Sequence, residues 1–240
     1  MADLTIQERL DAIRTRIAKA CARAGRAADD VRLIAASKMV DPDGITEAAR
    51  AGVTAFGENR VQEAAQKIPQ CPSHVEWHMI GHLQRNKVKF VPGLFRMVQS
   101  VDSWRLLEAL DRQCDEDGCR IHALLEINVS GESSKFGMSP PAVPEVLARC
   151  ASLTRVEVRG FMTMPPFQRE AEGARPFFRA LRELRDGWRG PSGLDLPELS
   201  MGMSHDFEVA IEEGATMIRL GTILFGERKR RVAVAGESEE

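Results

Sequence analysis

The sequence predicts an α/β protein built as a single (β/α)8 barrel, a TIM barrel, with an extra helix ahead of the first strand. Three observations carry that prediction. Eight short apolar or alternating runs recur along the chain, stretches of helical period lie between them, and no glycine-rich phosphate loop follows the first run. Strands alternating with helices imply parallel strands joined by crossover helices, and near-continuous apolar strands fit a sheet covered on both faces. The competing arrangement, an open doubly wound sheet, would carry a nucleotide fingerprint after its first strand. Lys38-Met39-Val40-Asp41 is no such loop.

Taken in order, the segment from Leu4 to Arg23 is amphipathic and is expected against the outside or the bottom of the barrel. The strand runs are RLIAASK from Arg32, TAFGEN from Thr54, EWHMIGHL from Glu76, RMVQSVD from Arg96, HALLEINVS from His122, VRGFMTM from Val158, ELSMGMS from Glu198 and MIRLGTILFG from Met217. After the first run, Asp41 fits an N-cap, Pro42 the first turn, and Gly52 the position just past a helix end. Similar punctuation predicts helices from about Ser103 to Gly118, from about Ser139 to Ser152, across ARPFFRALRELRDG, and from Ser204 to Gly214. ERKRRVAVAGESEE then reads as a short helix and a frayed tail, so the domain is assigned to residues 1–230 and the tail to 231–240.

Composition narrows the function classes. With 240 residues and 43% hydrophobic content the chain can bury a large core, and a formal net charge of -2 gives no globally basic surface for nucleic acid. The N-terminus is charged throughout, and no later segment offers about 18 consecutive apolar residues, so a soluble cytoplasmic protein without a membrane partner is expected. Five cysteines, odd in number and irregularly spaced, read as reduced thiols. His74, His78 and His82 repeat every four residues, but 76–83 reads as strand and no Glu or Cys completes a ligand set, so no metal is expected.

In such a barrel the functional groups collect where the strands end. The runs end on Lys38, Asn59, His82, Asp102, Asn128, Thr163, Ser204 and the group Arg219-Leu220-Gly221-Thr222. A lysine at an apolar barrel mouth is partly desolvated and presents a nucleophilic amine of the kind that makes Schiff bases, although a solvated strand-end lysine is the commoner occurrence. Ser204 and Gly221-Thr222 open the segments after the last two runs. Backbone N–H groups, a close-approach glycine and two hydroxyls make a phosphate position there, while each alone also reads as ordinary helix capping. A lysine together with a phosphate cradle suggests pyridoxal 5'-phosphate. Arg219 is close enough in sequence to reach the far side of a bound pyridine ring, and an arginine at the ring nitrogen leaves it unprotonated and the cofactor a poorer electron sink. The loop SGESSKFGMSPP, which includes Lys135, reads as either a lid or a plain solvent loop, and Arg228 to Arg231 as a solvated helix end.

The segments SK at 37–38, FGENRVQE at 56–63, WHMIGHLQRNK at 77–87, INVSGESSKFGM at 127–138, GFMTMPP at 160–166 and LSMGMSHDFEVAIEEGATMIRLGTILFG at 199–226 together resemble the YggS/PROSC family of pyridoxal phosphate homeostasis proteins. The resemblance covers nearly the whole chain. It implies an alanine-racemase-like barrel standing alone, with the cofactor held as a Schiff base on Lys38. It further implies phosphate contacts from Ser204 and from Gly221 and Thr222, the ring nitrogen facing Arg219, Asn59 beside the cofactor, and Met203 among the cofactor-binding residues. Met39 and Val40 depart from the family's usual residues after the lysine, which bears on local shape alone. The family carries and buffers pyridoxal phosphate rather than catalysing a fixed reaction. The chain contains no tyrosine, the residue alanine racemases use as second acid/base across the ring. The expectation is therefore a non-catalytic, monomeric carrier with no catalytic residue of its own and with apo pyridoxal-phosphate enzymes as candidate recipients. The alternatives are a racemase or lyase using Lys38 as base, with His82 or a cysteine as its partner, and a Schiff-base aldolase acting on a sugar phosphate.

Overall fold

In the computed structural model, which describes residues 4–226, eight parallel strands close into a ring in sequence order. They are β1 (Arg32–Ala36), β2 (Ala55–Glu58), β3 (Glu76–Met79), β4 (Met97–Val101), β5 (Ile121–Glu126), β6 (Val156–Met162), β7 (Glu198–Ser200) and β8 (Met217–Leu220). β8 pairs back onto β1, with Ile34 beside Arg219, which excludes the open sheet. Outside the ring lie α1 (Ile6–Arg23), α2 (Pro42–Arg50), α3 (Val61–Lys67), α4 (Trp104–Glu116), α5 (Val143–Arg149), α6 (Arg175–Trp188), α7 (Phe207–Glu212) and α8 (Thr222–Phe225). A 3-10 segment, Arg85–Phe90, stands where a helix would join β3 to β4. The helix and tail expected from ERKRRVAVAGESEE, the boundary at residue 230 and the run Arg228 to Arg231 lie outside the described residues.

α1 begins with a capping box, Thr5 and Glu8 bonding each other's backbone N–H, and buries one stripe of Leu10, Ile13, Ile17, Ala20 and Cys21. That stripe packs against α7, α8 and α2, on the outside of the ring rather than across its bottom. Arg16 to Glu208 and Arg23 to Glu212 add ion pairs at 2.8 and 2.6 Å. α8 spans four residues, so α1 supplies much of the cover over the β8–β1 seam.

Several boundaries differ from the sequence expectation, each for a local reason. β1 stops at Ala36 because the Ser37 carbonyl accepts from the Val40 N–H at 2.9 Å and turns the chain, which leaves Lys38 in the turn. MIRLGTILFG divides at Gly221 into β8 and α8. The helix expected from Ser204 starts at Phe207, because Asp206 Oδ1 first accepts from the Met203 N–H at 2.7 Å and closes a turn over 203–206. Residues 140–152 are helical throughout, but only Val143–Arg149 is α, with 3-10 turns on both sides.

Alternation along β1 separates two cores. Leu33 and Ala35 pack outward against the helices, while Ile34 and Ala36 join Ala55, Ile80, Met97, Leu124, Met162 and Met217 inside the barrel. The outer layer is the larger. On α4 alone Leu106, Leu107 and Leu110 are fully buried, each contributing about 1.5–3 kcal/mol. The five cysteines are unbridged. Among the described residues no helix is long and apolar enough to cross a membrane.

Candidate functional site

Strand register decides which of the predicted residues meet. Ala36 pairs with Gly57 and Ala35 with Leu220, so the tips that follow bring Lys38 towards Asn59 on one side and Gly221 on the other. A Cβ on Gly221 would stand 3.3 Å from the Ala36 carbonyl oxygen, so this is a close approach of two backbones. On the far side of β8, the Arg219 N–H donates to the Gly202 carbonyl at 3.0 Å, which lays residues 202–204 along the end of that strand. Gly202 has φ +93, and a Cβ there would come 2.6 Å from Ala210 Cβ, so the chain leaves β7 over α7 only with glycine. Four neighbouring tips thus carry Met203, Ser204, Arg219, Gly221, Thr222, Lys38 and Asn59 on one arc of the mouth.

Lys38, Gly221 and Thr222 line one cavity of about 260 Å³, together with Met39 and Phe225. Asn59 and His82 line a neighbouring one of about 370 Å³, and Met203 and Ser204 line neither. A cavity of about 700 Å³ lies between α1 and the starts of β1 and β2, and none of the arc residues lines it. Among the described residues, the side chains of Lys38, Asn59, Ser204 and Thr222 make no hydrogen bond or ion pair.

The remaining tip residues are engaged. Thr163 Oγ1 donates to the Ile127 carbonyl at 2.8 Å. Asn128 organises the loop after β5: its Nδ2 donates to the Glu132 carbonyl at 2.8 Å and its Oδ1 accepts from the Gly131 N–H at 3.0 Å. Met138 closes the loop onto the Glu126 carbonyl at 2.8 Å, and the Phe136 ring stacks on His82 with centroids 4.0 Å apart. His82 Nδ1 in turn faces Asp102 Oδ2 at 3.2 Å. This loop, which contains Lys135, is therefore folded against the mouth. His74, His78 and His82 do not converge: His78 is buried in the barrel interior, His82 stands at the mouth and His74 is exposed.

Beneath the arc runs a polar network that the sequence reading did not find. Arg219 is 4% exposed, and its Nη1 donates to Ser200 Oγ at 2.6 Å while its Nη2 donates to the Thr163 carbonyl at 2.9 Å. Ser200 Oγ donates to Gln99 Oε1 at 2.6 Å, and Gln99 Nε2 lies 2.7 Å from His78 Nδ1. With the amide nitrogen donating, Nδ1 accepts and the His78 proton sits on Nε2; burial holds His78 below its usual pKa and hence neutral. Full burial lowers Arg219 to about 10, opposed by the Glu126 and Asp206 carboxylates, so it stays charged near neutral pH. Glu126, 6% exposed, is pushed up to about 7 by burial, against the pull of Arg219. Period two from Leu124 was the signal for Glu126. Gln99 and Ser200 lie on different strands, and only the closed ring brings them together.

Comparisons with known proteins bear on the fold and the family. Residues 9–229 match the family described as alanine racemase, N-terminal domain. A pyridoxal phosphate homeostasis protein of Aquifex aeolicus is 46% identical over 92% of this chain and 98% of its own length, and one of Escherichia coli K12 is 36% identical over 93% and 97%. PipY of Synechococcus elongatus PCC7942, solved with PLP bound, superposes with a TM-score of 0.81 at 36% identity, over 92% of this chain and 100% of that one. An alanine racemase of Corynebacterium glutamicum, 20% identical with a TM-score of 0.63 over 95% of this chain and 63% of its own, shares the fold alone. With a closed barrel, an arc of unengaged polar groups at its mouth and relatives of matching length, the chain belongs to the family of pyridoxal phosphate homeostasis proteins.

Proposed function

We propose that this protein binds pyridoxal 5'-phosphate on the arc formed by the β7, β8, β1 and β2 tips and keeps it available, without efficient catalysis of its own. The observation that carries this reading is the cavity shared by Lys38, Gly221 and Thr222, in which the amine and the hydroxyl are both unengaged among the described residues. The donor set fits the cofactor's chemistry. The Lys38 amine suits its aldehyde, the Ser204 and Thr222 hydroxyls with the close-approach Gly221 suit its phosphate, and Asn59 and Met203 flank it. Arg219 has two donors tied to Ser200 and Thr163, so its guanidinium is a fixed cation that would face the ring nitrogen. When bound, pyridoxal phosphate supplies an electron sink for carbanions. A cationic donor at the ring nitrogen weakens that sink, and the absence of tyrosine removes the usual second acid/base.

The test is the visible spectrum of the purified protein with added pyridoxal 5'-phosphate, beside Lys38→Ala. The expected result is a band that borohydride bleaches in the wild type and that Lys38→Ala lacks; an unchanged band would sink the assignment. The His82–Asp102 contact favours a second reading, in which an oriented imidazole serves as proton carrier for a racemase or lyase. Stereospecific Cα exchange of one amino-acid enantiomer in deuterated water, at an enzyme-like rate and lost in His82→Ala, would establish it. The carrier reading extends to a cytoplasmic monomer that hands its cofactor to apo-enzymes. Reactivation of such an enzyme by the loaded protein should persist in the presence of a scavenger of free cofactor.

A further inference from the structure

The residue bonded to Lys38 is held far more tightly than Lys38 itself. Glu58, the last residue of β2, is fully buried, and its Oε1 accepts from Ser37 Oγ at 2.7 Å and from Lys67 Nζ at 2.8 Å. Lys67, at the end of α3, also donates to the Ser37 carbonyl at 3.0 Å. The Ser37 N–H donates to the Gly57 carbonyl at 3.0 Å, and its own carbonyl takes the Val40 N–H as well. Every polar atom of Ser37 is engaged, and two of those bonds come from one buried ion pair.

The turn that follows is strained. Lys38 is its second residue and Met39 its third, with φ +64, a conformation that such turns normally give to glycine or asparagine. Met39 is 78% exposed, so its own packing does not hold it there. Strain of this sort persists where the surroundings over-determine the backbone. The ion pair is no better a source of stability, since removing two charges from water offsets much of their attraction. Glu58 Oε2 adds to the cost, being buried without a partner among the described residues. Two unfavourable features therefore bracket one lysine.

We infer that Glu58 and Lys67 are positioning residues, a clamp on Ser37 that fixes the Lys38 peptide and aims its amine before the cofactor arrives. The inference rests on Lys38 being the anchor. Attachment joins the neutral Lys38 nitrogen to the cofactor's aldehyde carbon and releases one water, so it depends on the line of approach more than on affinity for the rest of the molecule.

The test uses two ligands on the full chain: pyridoxal 5'-phosphate, and pyridoxine 5'-phosphate, which has an alcohol in place of the aldehyde and cannot attach. The ratio of their Kd values measures the preference for attachment. Glu58→Gln/Lys67→Met removes both charges at nearly constant volume. The expected result is a preference reduced about tenfold or more, with affinity for the alcohol close to wild type. A full preference in that variant overturns the clamp. Equal losses for both ligands overturn it too, because the pair would then shape the pocket as a whole. Should the double variant fail to fold, Ser37→Ala removes the hydroxyl with its bonds to Glu58 and to the Gly57 carbonyl, and the same ratio decides: reduced supports the clamp, unchanged overturns it. If wild type and Lys38→Ala show the same ratio, the anchor reading falls and the clamp with it. A ratio lost in Lys38→Ala but kept in the double variant leaves the anchor standing and removes the clamp alone.

Discussion

The barrel interior and the barrel mouth are both polar, yet they treat their polar groups in opposite ways. In the interior, His78, Gln99, Ser200 and Arg219 form one chain of hydrogen bonds in which each side chain has at least one partner. At the mouth, the side chains of Lys38, Asn59, Ser204 and Thr222 have none among the described residues. Buried polar groups left unpaired cost free energy, so a largely paired interior is what a stable fold demands, and in this network His78 Nε2 is left without a hydrogen-bond partner among the described residues. Mouth groups can bond to water and stay available. The difference separates residues that keep the barrel rigid from residues placed to meet a ligand, and substitutions on the two sides should behave differently.

The largest expected effect is at the mouth. Lys38→Ala should abolish covalent retention of pyridoxal 5'-phosphate, while stability without the cofactor stays within about 0.5 kcal/mol of wild type. Thermal unfolding of the two cofactor-free proteins checks the second half, and a substantial fall in Tm would move Lys38 to the structural side.

Glu126 sharpens the comparison because it belongs to both sides, buried like the interior and, like the mouth groups, with a side chain that makes no hydrogen bond or ion pair among the described residues. Its folded-state pKa of about 7 lies above the ordinary 4.5. As pH rises, the unfolded chain releases this proton first. Stability from this residue is thus undiminished below about pH 4.5, declines as pH rises towards about 7, and is level above that. The full difference amounts to at most about 3 kcal/mol at 1.36 kcal/mol per pKa unit. Glu126→Gln, which titrates nothing, should raise Tm by several degrees at about pH 8 and leave it near wild type at about pH 4. The same difference at both values would show that burial does not shift this group.

Ser200→Ala attacks the interior directly. It strands one Arg219 donor and the Gln99 carbonyl in a buried site, at a cost of about 2 kcal/mol, or a fall in Tm of about 4–8 °C. An unchanged Tm would mean that water replaces the hydroxyl and that the interior is less closed than its burial indicates.

Much of the outer frame was legible in the sequence. Strand runs, the Asp41-Pro42 helix start and the glycine past its end are local signals, and local signals survive folding. The arc at the mouth was legible through a rule of barrels, that chemistry gathers at strand ends, together with the family resemblance. That rule does not distinguish Asn128 and Thr163, which close loops, from Asn59 and Thr222, which stay open; the difference depends on a carbonyl that the fold brings within reach, Glu132 of its own loop for Asn128 and Ile127 of the preceding unit for Thr163. The Ser204 helix start failed because the Asp206 side chain competes for the Met203 N–H. The Arg219 network and the Glu58–Lys67 pair were invisible for a different reason. Their members lie 19 to 101 and 9 residues apart, and each looks unremarkable in its own run until the ring closes.

The smallest effects test the boundary most finely. Ser204→Ala and Thr222→Ala each remove a hydroxyl that has no partner among the described residues, so the cofactor-free protein should unfold at the wild-type temperature within about 1–2 °C. With pyridoxal 5'-phosphate bound as proposed, each hydroxyl would donate to a charged phosphate oxygen, a bond of about 1.5–3 kcal/mol of which water recovers part. Each substitution should therefore weaken binding by about tenfold. Pyridoxal, which lacks the phosphate, supplies the control, because its affinity should not change in either variant. If both ligands weaken equally, the hydroxyls shape the pocket instead of holding the phosphate. If Tm falls in the absence of any ligand, they belong with Ser200, and the division between a satisfied interior and a waiting mouth does not hold at these two tips.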